Sequence, residues 1–140
     1  MASVGGYIIC RKVIRDYLVN KMRTLIFTTA LPPVNLMWTH FVLERLAGFD
    51  DKRKYLEIIS NRLREELIAK GYTCPSTSHI IPIMIGDSRE TILKAKDMQQ
   101  KGFYMLPVRP PTVPEGTSRI RISLTASVQM EDIENLITLL

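Results

Sequence analysis

The period of the apolar positions changes several times along the chain. Gly5-Gly6-Tyr7-Ile8-Ile9-Cys10 is a short apolar run after a glycine pair and predicts a strand. From Arg11 to about Met22, Val13, Ile14, Tyr17 and Leu18 fall on one face of a helix. The run "RTLIFTTALPP" is expected to be extended and to stop at Pro32-Pro33, which cannot donate to a ladder. A helix is predicted from about Pro33 to Leu46, since proline suits a first helical turn. Val34, Met37, Trp38, Phe41 and Leu46 recur there at helical spacing, and Gly48 closes it. Trp38 and the methionines are expected in a core rather than on a ligand platform.

Beyond Gly48 the pattern is cleaner. Asp50 or Asp51 can cap a helix that runs to about Lys70 and stops at Gly71, with Tyr55, Ile59, Leu63 and Leu67 as its apolar stripe. "HIIPIMIG" reads as a strand, and its proline predicts an edge position or a bulge. Asp87-Ser-Arg-Glu90 has capping-box spacing and opens a helix that ends near Gly102. "FYMLPV" and Arg119–Thr125 are two more strands. A last helix covers about Val128 to Leu140, with Glu131 and Asp132 in its first turn, where the dipole favours them. This order predicts an α+β fold: a small, mostly antiparallel sheet with helices packed on one face.

Composition narrows the function classes. The chain has 140 residues, 46% of them hydrophobic, enough for a packed core. No apolar run reaches the roughly 18 residues of a membrane helix, so no membrane partner is expected. No basic region followed by an apolar stretch and a cleavage site stands at the N-terminus, so no secretory leader is expected. Cys10 and Cys74 are far apart and are expected to be free, buried thiols in a reducing, cytoplasmic setting. With His40 and His79 they show no metal-ligand spacing, so no metal site is expected. The net charge of +5 suits an anionic partner. Its charges are interleaved, as in "DDKRKYLEIISNRLREELIAK", and no aromatic-glycine RNA motif is present, so nucleic acid is not expected. A stand-alone basic binding module is the reading left open on charge alone.

No GxGxxG, Walker loop, HExxH or GxSxG occurs. The informative stretch is "PVRPPTVPEGTSRIRISLTA", residues 107–126, with four prolines and three arginines. On a strand, Arg119 and Arg121 project to one face while Ile120 and Ile122 go to the other. Prolines 110, 111 and 114 stiffen the preceding loop. A rigid loop beside a planar cationic fork can form a wall that binds a carboxylate. Ordinary surface arginines on an exposed sheet face are the plainer alternative.

"ASVGGYI", "MRTLIFTTALPP" and "RPPTVPEGTSRIRISLTA", in this order, closely resemble the α-oxoamine synthases, pyridoxal-phosphate enzymes of the aspartate-aminotransferase type. Members of the family condense an amino acid with an acyl-CoA and release CO2, as homodimers with shared active sites. The Arg-Pro-Pro-Thr-Val-Pro run most resembles the branch that joins a pimeloyl thioester to L-alanine in biotin synthesis; the branch that joins glycine to acetyl-CoA remains open. The resemblance implies that Arg121 holds the amino acid's carboxylate, that Thr112 contacts substrate, and that Arg109 faces the pimeloyl end. It implies that Thr28 and Thr29 reach the cofactor phosphate of the neighbouring subunit, and that Arg119 is structural or supports Arg121. It places the Schiff-base lysine upstream of Met1, so catalytic residues are not expected in this chain, which should be inactive by itself. Residues 1–32 would be the tail of the large cofactor domain, and residues 33–140 the small C-terminal domain. Ile8, Ile9, Leu25, Ile26 and Phe27 are then expected to be exposed or re-paired.

Overall fold

A computed structural model describes residues 3–140; Ala2, the first residue of the ASVGGYI motif, lies outside them. The chain parts into two compact units, Met1–Phe49 and Asp50–Leu140.

The first unit carries α1 (Lys12–Lys21), α2 (Arg23–Ile26) and α3 (Pro33–Leu46). The predicted strand at residues 5–10 is not formed: these residues are irregular, with no partner strand in their unit to satisfy their backbone. The run after Met22 is also not extended. Ile26 and Phe27 donate to the carbonyls of Met22 and Arg23 at 3.0 Å each, closing one helical turn. Only the stretch after Phe27 is irregular. α3 has the predicted bounds and Pro33 in its first turn.

None of these helices buries a residue. Trp38 and Met37 are therefore not core residues. Trp38 stacks on Phe41 with ring centroids 5.7 Å apart, and the Arg45 guanidinium lies 3.5 Å from the Phe41 ring centre. The apolar positions of α3 have helical spacing; among the described residues of this unit Ser3 and Val4 lie beside Val34 and Trp38, but no side chain of the helix is buried. Ile8, Ile9, Leu25, Ile26 and Phe27 are all exposed, and so is Cys10, contrary to its expected burial.

The second unit holds a conventional core. α4 (Asp50–Ala69) buries Ile59, Leu63 and Leu67, each four residues from the last. β1 (Ile80–Gly86), α5 (Ser88–Gln100), β2 (Leu106–Val108), β3 (Ser118–Ser123) and α6 (Met130–Leu139) complete it. The sheet order is β1-β3-β2, antiparallel throughout, with β3 central. β1 is thus an edge strand, as the proline in "HIIPIMIG" predicts; Pro82 itself pairs in register with Arg121, and the register shifts only further on, between Met84 and Gly86.

Alternation divides the sheet. Ile81, Ile83, Ile120 and Ile122 are buried and join Ala95 and Met98 of α5 and Ile133, Leu136 and Ile137 of α6 in one cluster. Burying each such side chain contributes about 1.5–3 kcal/mol. Cys74 is half-buried rather than buried; its thiol donates to the Pro82 carbonyl at 3.2 Å, and burial pushes its pKa up.

Asp87 caps α5 as its spacing predicted, its Oδ1 accepting the Glu90 N–H at 2.8 Å. Asp132 reaches back to the Gln129 N–H at 3.2 Å and closes the start of α6. Tyr55 of α4 donates to the Val128 carbonyl at 3.0 Å, just ahead of α6, and Lys70 donates to the Ile137 carbonyl at 2.6 Å.

Candidate functional site

The second face of the sheet is open. Arg121 stands in its middle, with Pro82 of β1 and Leu106 of β2 as its cross-strand partners. Arg119 is paired with Met84 and Val108 in the same way. The central strand thus presents two cations between apolar neighbours on both edge strands. Arg121 is exposed and Arg119 is half-buried. Among the described residues no carboxylate pairs with Arg109, Arg119 or Arg121, whereas Arg53 and Arg62 both do. A guanidinium with its fork uncommitted, between apolar cross-strand neighbours, suits a carboxylate ligand.

The loop between β2 and β3 is built from two turns. The Thr112 N–H donates to the Arg109 carbonyl at 3.1 Å, closing a turn around the cis Pro110–Pro111 peptide. The Thr117 N–H donates to the Pro114 carbonyl at 3.2 Å, and its hydroxyl adds a second bond to that oxygen at 2.6 Å. Gly116 sits at φ +73° in this second turn, a backbone state that glycine enters without strain.

The base of the loop is fixed to α5. Ser118 is fully buried, and its hydroxyl meets that of Ser88 at 2.9 Å. Gly86, at φ +94°, passes close to the Gly116 carbonyl; a β-carbon there would lie 3.4 Å from that oxygen. Between the loop and the start of α5 lies a cavity of about 530 Å³, lined by Asp87, Ser88, Pro110 and Glu115 together with the two glycines.

Arg109, Thr112 and Arg121 belong to this one loop-and-strand module, and the first two are exposed on the loop. Thr28 and Thr29 belong to the other unit, exposed in irregular chain just after α2 and just before Ala30, which takes φ +65°. Ser88 and Ser118, which anchor the loop, carried no local signal: they are thirty residues apart in sequence. Among the described residues no cluster of His, Cys, Asp or Glu could hold a metal ion, and no helix is long and apolar enough to cross a membrane.

This arrangement has close counterparts. The model of the class I and II aminotransferase family matches residues 1–140. A protein of Haemophilus ducreyi named 8-amino-7-oxononanoate synthase is 46% identical over the whole of this chain. The chain spans about a third of the length of such curated relatives, 36% in that case. Among solved structures, serine palmitoyltransferase of Sphingomonas wittichii superposes with a TM-score of 0.85 at 27% identity, over 98% of this chain and 35% of its own. The 8-amino-7-oxononanoate synthase of Francisella tularensis does so at 0.75 and 25%, over 91% of this chain and 38% of its own. Apart from the strand expected at residues 5–10 and the extended run expected after Met22, the α+β architecture read from the chain matches the corresponding third of these structures, and the chain belongs to the class I and II aminotransferase family.

Proposed function

We propose that this chain forms the C-terminal part of an 8-amino-7-oxononanoate synthase, a pyridoxal-phosphate-dependent acyl transferase of biotin biosynthesis. The complete enzyme joins the α-carbon of L-alanine to the carbonyl carbon of a pimeloyl thioester. One C–C bond forms; the thioester C–S bond and the α-carbon–carboxylate bond break, and the thiol and CO2 leave. The cofactor, when bound, supplies the electron sink for that α-carbon. The observation that carries the reading is Arg121: central in the sheet, exposed, without a carboxylate partner, and beside a doubly turned proline loop.

Each residue's task follows from its place. Arg121 captures the amino acid's carboxylate with two parallel N–H donors and so orients the α-carbon bonds. Thr112 offers a hydroxyl from the loop, and Arg109, at the loop's start, faces the distal carboxylate of the pimeloyl chain. Thr28 and Thr29 fit a phosphate group: both hydroxyls are exposed and can donate to its oxygens. They serve the cofactor of a neighbouring subunit in a homodimer. Residues 1–32 act as the tail of the cofactor domain and residues 33–140 as the small domain, in a cytoplasmic enzyme.

Four of the eight lysines are engaged by groups within the chain. Lys12 and Lys101 pair with Asp16 and Asp97, Lys70 donates to a carbonyl, and Lys94 donates to the Tyr72 hydroxyl. The isolated chain is read as inactive.

The test is a product assay on the complete protein. L-alanine with pimeloyl-CoA should release CO2 and 8-amino-7-oxononanoate, and glycine with acetyl-CoA should turn over poorly. A preference for glycine and acetyl-CoA would move the chain to a sister branch of the family.

A further inference from the structure

We propose that Arg119 is a positioning residue that ties the proline loop to β3 and so holds Thr112 and Arg109 in place beside Arg121. Its catalytic consequence rests on the synthase reading above; the tether itself does not.

Arg119 and Arg121 share a face but not a role. Arg119 Nε donates to the Thr117 carbonyl at 2.9 Å. Thr117 in turn holds the Pro114 carbonyl through its N–H and its hydroxyl, at 3.2 and 2.6 Å. A short chain of hydrogen bonds thus runs from the central strand to the last turn of the loop, two residues beyond Thr112. From the other side, the Ser118–Ser88 hydroxyl contact ties the same base to the start of α5.

Proline rigidity alone sets the shape of such a loop and not its direction. A stiff loop pivots as a body about its ends, so a bond at its end controls where its far residues stand. Arg119 spends one N–H of its fork on that bond and is half-buried doing so, whereas Arg121 remains exposed. The acceptor is a neutral carbonyl, so Arg119 keeps its positive charge and adds to the field that draws an anionic substrate. Of the two arginines that point the same way, one binds and the other holds.

Amide exchange on the 140-residue chain tests the tether. Arg119→Met keeps an apolar stem between Met84 and Val108 and removes the donor. It should speed exchange of the Thr112 and Thr117 amides about tenfold and leave those of Ile120 and Ile122 unchanged. Arg119→Gln keeps an N–H donor without the charge and should restore most of the protection; Arg119→Leu, which also removes the donor, carries the test if the methionine variant fails to fold. Unchanged exchange at Thr117 in a folded Arg119→Met chain overturns the proposal.

In the complete synthase, Arg119→Met should raise KM for the acyl thioester about tenfold, with kcat and L-alanine affinity nearly unchanged. A selective loss of L-alanine affinity would instead make Arg119 a direct carboxylate ligand and contradict a tether. Arg121→Lys in the same preparation separates the two ideas. If it leaves L-alanine affinity intact, the carboxylate is held by another residue whatever the exchange data show for Thr117, and failure of the synthase reading is read separately, from the product assay.

Discussion

Arg62 on α4 grips Glu134 on α6 with two prongs of its guanidinium, Nε to Oε1 at 2.7 Å and Nη2 to Oε2 at 3.0 Å. Its third nitrogen reaches Glu66 on its own helix. The bridge clamps the two helices that flank the core, and it holds the Glu134 carboxyl below the usual carboxylate range. A carboxyl lowered in the folded state favours folding above its unfolded pKa, and that contribution fades as the pH falls through the folded value. Both partners are partly exposed, so the effect is modest. Glu134→Gln should lower the thermal midpoint slightly at neutral pH, and the difference from the parent chain should vanish in acid. Midpoints of both proteins across an acid pH series check this; a difference that persists in acid contradicts it.

Leu63 is fully buried between its stripe-mates Ile59 and Leu67. Leu63→Ala should cost about 2–5 kcal/mol, the lost transfer energy plus the cavity left behind. Urea unfolding followed by circular dichroism should show a lower midpoint at unchanged slope. A loss well under 1 kcal/mol would mean that the site collapses around the smaller side chain.

The Asp87 cap holds the first turn of α5 next to the cavity under the proline loop. Asp87→Ala should destabilise the second unit by about 1 kcal/mol, while Asp87→Ser should recover most of that. Equal losses in both variants would show that the carboxylate does something there besides capping.

The two units should differ sharply in amide exchange. Residues 5–10 belong to no strand, and the helices of the first unit bury nothing, so their amides should exchange fast. Ile120 and Ile122, in the central strand, should be the slowest. Uniform protection from Gly5 onward in a dilute sample would contradict that order.

What was legible in the sequence was whatever its own neighbours decide. The proline in "HIIPIMIG" marked an edge strand because it lacks a ladder donor. Asp87 marked a helix start because its partner lies three residues on. The alternation around Arg121 gave the open face directly, since strand neighbours two apart must share a side. The helical turn at Arg23–Ile26 was missed although its bonds are local, because apolar composition alone does not separate a short helix from an extended run; the other errors fall where the deciding contact is remote. Tyr7-Ile8-Ile9 has the composition of a strand, but a strand needs a partner, and its unit offers none. Trp38 has the spacing of a buried face, and spacing does not say what covers it. The Ser88–Ser118 contact and the tether from Arg119 to Thr117 depend on register and loop path, which no local pattern encodes.

The carboxylate-binding role proposed for Arg121 is the one on which the synthase reading turns. The most direct measurement compares binding of L-alanine and L-alaninamide to the complete enzyme, for the parent protein and for Arg121→Ala. A charge-assisted pair contributes about 1.5–3 kcal/mol, so the parent should favour the carboxylate by about 10- to 100-fold, and the variant should bind both ligands equally weakly. A variant that still prefers L-alanine over its amide would place the carboxylate on another residue and contradict the account.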